Sequence, residues 1–391
     1  MENRPTFKAF LNYKPLYYKE IDHERVHSAY AILKPHITRP LIIHVVGTNG
    51  KGSTGRIMAT LLHEEGKKVG HFSSPHILKF NERIWIEGED SSDELLEKAH
   101  QKLYTILGQE KSDALSYFEY TTLLCFVVCE EMEVLILEAG LGGEFDATNV
   151  IKKELSVITP IGLDHQDFLG KTIVEIAQTK LNSMDEKVLL GRQPHDEVYV
   201  VAKKIALDKK TIIYRVNEEE NLELLELTQS LSWAYYLYEN TLMALKALDI
   251  LGLPYSLKQL KKVTLFGRFY EIFPHVTIDV GHNLLATKTL INALEKKYNS
   301  EKIILVYNSL DDKDYETILS LFKPLIRRVE IIKIETSRAV EPKKLEDVLE
   351  RLEIEYKDFM LLNKNDKYFI FGSFYVVEAF LKKIEYSIKN I

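Results

Sequence analysis

The hydrophobic positions of this chain fall into short, nearly unbroken runs separated by longer amphipathic stretches. Leu41–Val46 has the apolar, β-branched character of a buried strand. A glycine-rich stretch, Gly47–Ser53, follows it, and then a helical pattern to about Glu65. Val69–Phe72 predicts the next strand, Thr121–Met132 a helix, Val134–Glu138 a strand ending at Gly140, Leu155–Thr159 a strand and Ile173–Ser183 a helix. Strands without polar alternation, joined through helices, predict a mostly parallel sheet covered on both faces. Around Pro254, Gly267 and Pro274 the pattern breaks and then restarts. Strands at Val276–Val280, Ile303–Tyr307, Val329–Ile334 and Tyr368–Phe371 alternate with helices at Thr287–Tyr298, Tyr315–Leu325, Pro342–Leu352 and Phe374–Ile384. No internal repeat or low-complexity tract interrupts this order.

Composition narrows the function classes. The 391 residues are 46% hydrophobic and 28% charged, with a net charge of −7. That is the balance of a globular protein and argues against bulk nucleic-acid binding, which carries a basic footprint. No apolar stretch approaches the roughly 20 residues needed to span a bilayer, and Met1 to Lys19 lacks the apolar core of a signal peptide. Cys125 and Cys129, four apart on one helix face, read as reduced core thiols. The expectation is a cytoplasmic monomer with no membrane or nucleic-acid partner. The acidic run Glu218–Glu226 reads as a solvated face.

The chemistry begins at Gly47-Thr48-Asn49-Gly50-Lys51-Gly52-Ser53. A glycine-rich segment between a strand and a helix can curl its backbone N–H groups around phosphate, and the helix N-terminus adds a favourable dipole. Lys51 can reach the outer phosphates of ATP and the Ser53 hydroxyl can bind Mg²⁺. Gly52 separates Lys51 from Ser53, so the loop is a variant of the general phosphate-loop pattern. The expected fold class is α/β: an N-terminal phosphate-loop NTPase-like domain with a mostly parallel sheet over residues 1–265, and a smaller C-terminal Rossmann-like α/β domain over residues 266–391. Glu138 ends a buried strand at the edge where open α/β sheets bind ligands, and a buried carboxylate needs a partner.

With these motifs in order, the chain resembles the dihydrofolate synthase/folylpolyglutamate synthase family of the Mur ligase superfamily. Ser73–Ile84 resembles the mobile loop after the second strand, Ser116–Tyr120 the pterin-pocket segment, and Leu137–Gly143 with Asp146–Asn149 the central metal motif. Ile161–His165 and the helix carrying Lys180 also fit, as do Gly267–Phe269, Asp279–Asn283, Asp312–Asp314 and Gly372–Tyr375. The likeness runs from about residue 23 to residue 380. It implies an ATP-dependent, ADP-forming ligase that joins a folate-type carboxylate to glutamate through an acyl phosphate. A Mur-type cell-wall amino-acid ligase and a nucleotide-hydrolysing switch are the alternatives.

The resemblance also implies site residues. ATP would be held by Thr48, Asn49, Gly50, Lys51, Gly52, Ser53, Asn240, Arg268, Asp279 and His282. Two Mg²⁺ would use Ser53, Ser74, Glu138 and His165. Lys51, His165 and Lys180 would be catalytic, Lys180 as a carbamylated lysine. The folate-type acid would meet Phe80, Ser116, Tyr117, Phe118, Glu119, Phe145, Asp146 and Ala147. Blander readings stand beside several of these: a turn at Ser74-Pro75, a loop histidine at His165, a solvated helix lysine at Lys180 and a helix cap at Asn240. The chain departs from the family pattern at three places. Glu144-Phe145-Asp146 stands for Arg-Leu-Asp, Leu181-Asn182 for a small Ala-Gly segment, and Leu284 for a proline.

Overall fold

The apolar run Leu41–Val46 forms β1, buried along all but its first residue. In chain order β2 (Val69–Phe72), β3 (Ile84–Ile86), β4 (Glu89–Asp90), β5 (Val134–Glu138), β6 (Leu155–Ile158), β7 (Lys187–Leu190) and β8 (Ile212–Arg215) join it. The computed structural model describes residues 4–14, 22, 24–216, 219–299 and 301–385. Residues 1–3 and 15–19 of the charged N-terminal stretch, and Glu218 of the acidic run, lie outside the described residues. The eight strands lie in the order β4-β3-β2-β5-β1-β6-β7-β8. Pairing is parallel except at β2–β3 and β3–β4, which no hydrophobic pattern announced.

A second sheet contains β9 (Tyr270–Phe273), β10 (Val276–Ile278), β11 (Ile303–Tyr307), β12 (Ile326–Ile331), β13 (Tyr356–Asp358) and β14 (Tyr368–Phe371), in the order β13-β12-β11-β14-β10-β9. Only β9–β10 is antiparallel. The α/β class with two mostly parallel sheets is therefore as expected. Each sheet is the centre of one compact unit. Unit 1 takes the described residues up to Ile161 and those within Lys171–Glu218 and Asn240–Val263; unit 2 takes those within Gly162–Gly170, Glu219–Glu239 and Thr264–Ile391.

Local chemistry moved some boundaries. The helix expected from Thr121 runs Tyr117–Val128, because Ser116 and Glu119 form a capping box that starts it earlier. β12 begins three residues before the expected Val329, at Ile326. Arg327 and Arg328 mask it in the sequence, but Arg328 donates to the buried Glu330 at 2.6 Å, so the strand tolerates the charge. The helices Asp93–Ala114 and Asp196–Lys209 were not anticipated, and the helix weighed as starting after Asn240 begins at Tyr235 and runs to Leu251. Cys125 and Cys129 are buried free thiols, their sulfurs 3.9 Å apart in the core between helix and sheet. Among the described residues no helix is long and apolar enough to cross a membrane.

Candidate active site

In unit 1 the parallel strands β1 and β5 deliver two loops to one edge of the sheet, with Val45 opposite Glu138. The loop after β1 enters the helix Lys51–Glu64, whose N-cap, Gly50, has φ +86°. A side chain there would be strained, and its Cβ would meet Asn240 Oδ1 at 2.6 Å. No side chain caps this helix. Its first N–H groups lack helical partners, which leaves an anion-binding terminus. Ser53 is buried and its Oγ has no hydrogen-bond partner among the described residues. The N–H groups of Thr48 and Asn49 are used differently, both donating to Pro160 O, at 3.0 and 3.3 Å, and so shape the loop.

Lys51 Nζ donates to Gly47 O and Thr48 O, each at 3.3 Å, and stands 3.8 Å from Glu138 Oε1. Glu138 is buried at the end of β5 and accepts from Ser74 N at 3.4 Å. Ser74, Glu138 and Lys51 thus lie together at this edge, with Ser53 in the first turn of the helix that Lys51 opens. Lys180 is not a solvated lysine. It is 5% exposed, and its Nζ donates to Gly47 O at 2.9 Å, beneath the phosphate loop. Nor does Asn240 cap a helix. It lies inside Tyr235–Leu251, buried against Gly50, and its Nδ2 has no partner among the described residues.

The residues expected to meet the acid divide into presenters and builders. Ser116 and Glu119 cap the helix that starts at Tyr117, and Glu119 accepts from Arg25 at 3.1 and 3.3 Å. Asp146 accepts from Leu141 N, Thr148 N and Thr148 Oγ1 at 2.8, 2.9 and 2.5 Å. Burial raises its pKa, against these hydrogen bonds. Ala147 is core. Phe145, by contrast, is 57% exposed at the tip of the same loop. Phe80 and Tyr117 meet edge to face at 6.3 Å, and the Arg83 guanidinium lies 5.3 Å from the Tyr117 ring. Phe118 fills the space beside Gly140. Sequence reasoning gave no role to His76, whose Nδ1 accepts from Arg83 Nε at 2.8 Å. Burial, with the Arg83 charge, pulls its pKa down to about 4, so it accepts as a neutral ring. The available signal was its place within the Ser73–Ile84 segment that the resemblance picked out.

Unit 2 carries His165, Arg268, Asp279 and His282. His165 holds a left-handed backbone (φ 50°) ahead of the short helix Gln166–Leu169. Its neighbour Asp164 is the hub: it accepts from Lys313 Nζ at 2.6 Å and Asn283 Nδ2 at 3.1 Å, with His282 Nε2 at 3.6 Å. Burial alone would raise the Asp164 pKa, but His282, His165 and Lys313 outweigh it and hold the carboxyl well below its usual range. Asp279 is buried and accepts from Gly281 N, Phe269 N and Tyr236 OH at 2.7, 2.8 and 2.9 Å. Arg268 lies over the Phe374 ring at 5.2 Å. Leu284 is the first residue of the helix Leu284–Tyr298, capped by Asn283, a place where proline and leucine are both tolerated. Lys313 and Tyr236 are the partners that sequence reasoning did not single out; Lys313 sat in a quoted motif, Tyr236 had no signal.

No family model matches the chain. Among curated proteins, the dihydrofolate synthase/folylpolyglutamate synthase of Buchnera aphidicola subsp. Schizaphis graminum is 31% identical over 370 residues, 86% of each chain. The chain belongs to the dihydrofolate synthase/folylpolyglutamate synthase family. Solved structures agree with that membership. The folylpolyglutamate synthetase of Helicobacter pylori is 39% identical, with a TM-score of 0.80 over 97% of this chain and 98% of that one. The E. coli FolC protein, solved with DHPP and ADP, is 25% identical with a TM-score of 0.82 over the same shares. The chain is accordingly an enzyme of the ligase class.

Proposed function

We propose that this ligase uses ATP to join a folate-type carboxylic acid to the amine of glutamate, releasing ADP and phosphate. The observation that carries the reading is the cluster of Lys51, Glu138 and the unpartnered Ser53 Oγ at the uncapped helix N-terminus. An acid oxygen attacks the γ-phosphorus of ATP and ADP leaves, giving an acyl phosphate. The glutamate amine then attacks the acyl carbon, phosphate leaves, and the nitrogen loses a proton. Two anions must meet in the first step, so positive charge has to be in place beforehand. The helix N–H groups and Lys51 supply it from this chain, with Asn240 standing on the adenine side.

The donor set fits Mg²⁺, since a buried, unpartnered hydroxyl and a carboxylate are hard oxygen ligands. Ser53, Ser74 and Glu138 would hold it, with His165 the ligand expected for a second ion. When bound, Mg²⁺ neutralises charge on the transferring phosphoryl group. Lys180 would be carbamylated, and the N–H that a carbamate retains can still donate to Gly47 O. Arg268, Asp279 and His282 are further residues proposed to contact the nucleotide. Phe80, Tyr117, Phe118 and Phe145 would line the acid, while Ser116, Glu119, Asp146 and Ala147 shape that region. A reducing cytoplasm completes the reading, in keeping with the two free thiols, and the chain is read as a monomer.

ADP release by the purified protein tests this, with Mg·ATP, glutamate and one of three acids: dihydropteroate, folyl monoglutamate or a nucleotide-sugar peptide. Release that needs both glutamate and a folate-type acid is expected, and the two folate acids separate the synthase activities. Release with the nucleotide-sugar peptide alone makes the chain a cell-wall ligase. Release that ignores every acid makes it a nucleotide switch.

A further inference from the structure

Glu144 sits in an electrostatically poor place. The helix Ile173–Leu181 ends beside it, with Asn182 as C-cap, and the negative end of a helix dipole disfavours a carboxylate. Yet Glu144 is tied to that helix end by both backbone and side chain. Its N–H donates to Thr179 O at 3.0 Å, closing one of the carbonyls that a helix leaves open. Its Oε2 accepts from Asn182 Nδ2 at 2.8 Å. Its own carbonyl accepts from Asn149 Nδ2 at 2.8 Å, which returns the loop on itself. Lys209 Nζ donates to Asn182 O at the same helix end and brings positive charge there.

The approach is close because residue 143 is glycine. A Cβ at Gly143 would lie 2.7 Å from Lys180 O and 3.1 Å from Lys180 Cα. Loop and helix therefore touch backbone to backbone at Lys180 itself. At its other end the Lys180 side chain donates to Gly47 O under the phosphate loop. Exposed Phe145 follows Glu144 directly, and the next residue, Asp146, is immobilised by three donors from its own loop. One continuous chain of bonds thus runs from the Phe145 loop through Glu144, Asn182 and Thr179 to Lys180 and the phosphate loop.

We infer that Glu144 and Asn182 are a pair of positioning residues that lock the Phe145-bearing loop to the helix carrying Lys180. The pair sets the distance between the acid side of the site and the phosphate loop. The inference rests on the ligase reading for its kinetic consequence, and on the geometry alone for the coupling. Neither side chain touches a reacting atom. The carboxylate is present because it is the acceptor that Asn182 needs, and not for its charge.

The test is a set of four variants of the full chain: Glu144→Ala, Asn182→Ala, the double Ala variant and Glu144→Gln. Steady-state kinetics with folate-type acid, glutamate and Mg·ATP are read beside the Kd of a non-hydrolysable ATP analogue and the unfolding midpoint. Each single Ala variant is expected to lower kcat/KM for the acid about fivefold to twentyfold, the range expected for lost orientation. The ATP-analogue Kd should stay within about twofold, because the phosphate loop keeps its own bonds. The double variant should be no worse than either single one, in rate and in unfolding midpoint, and Glu144→Gln, which keeps an amide oxygen acceptor, should retain wild-type kinetics. Single effects that multiply in the double variant, a Glu144→Gln as poor as Glu144→Ala, or an Asn182→Ala with wild-type acid kinetics each overturn the pair. A wild-type protein inactive with every acid overturns the ligase reading instead, and the coupling is then decided by the unfolding midpoints alone: singles that lower it additively refute it.

Discussion

The phosphate loop of unit 1 and the Asp279–Asn283 loop of unit 2 look alike as sequence: glycine, asparagine and a charged residue between a strand and a helix. Their polar atoms are spent in opposite ways. Ser53 Oγ and Asn240 Nδ2 are buried without partners among the described residues, and no side chain caps the helix Lys51–Glu64. In unit 2 Asp279 meets three donors, Asp164 is held by Lys313 and Asn283, and Asn283 caps its own helix. Leaving a buried polar atom unpaired costs about 1–3 kcal/mol, and two of them beside an uncapped helix N-terminus make a place that a ligand can complete. Paired ones mark where the fold completes itself. The first loop presents its polar groups, and the second holds its own in place.

Substitutions can break this contrast. The largest effect belongs to Lys51→Ala, which removes a charge from the transferring phosphate and lowers kcat/KM by about a thousandfold. The unfolding midpoint should fall only slightly, because Glu138 loses the nearby cation but keeps the Ser74 N–H, and near-wild-type turnover would place Lys51 among the builders. Asp279→Ala should do the reverse: it strands two backbone N–H groups and a tyrosine hydroxyl, at a cost of about 3 kcal/mol in denaturant unfolding. Weakened binding at unchanged stability would instead show Asp279 touching the nucleotide. Gly50→Ala forces a side chain into a left-handed backbone and against Asn240, strain of about 1–2 kcal/mol, seen in calorimetry as a roughly tenfold weaker Kd for the analogue. The smallest effect is that of Ser116→Ala, loss of a helix cap worth about 1 kcal/mol. KM for the folate-type acid should stay within about twofold, since lost caps act on folding and not on recognition; a large rise would return Ser116 to the acid site.

Several elements were legible in the sequence and several were not. β1, β2, β5, β11 and β14 appear with the expected bounds, because a strand buried on both faces reads as a near-continuous apolar run, not as an alternation. The antiparallel strands β3 and β4, short and partly exposed, carry no such pattern. The phosphate loop was readable because its chemistry is contiguous. Lys180 was named only through the family resemblance: a lysine on an amphipathic helix is usually solvated, and its contact with Gly47 O comes from the tertiary fold alone. Glu144 and Asn182 each looked like an isolated departure from pattern until the fold joined them.

By itself, the sequence determined the α/β class, the alternation of buried strands and helices, and the place of the nucleotide loop. Those depend on local periodicity and on backbone conformations that only certain residues adopt. The tertiary structure decided which polar residues work outward and which inward. That division depends on whether a distant donor reaches each lone pair once water has been excluded, and no window along the chain contains both partners.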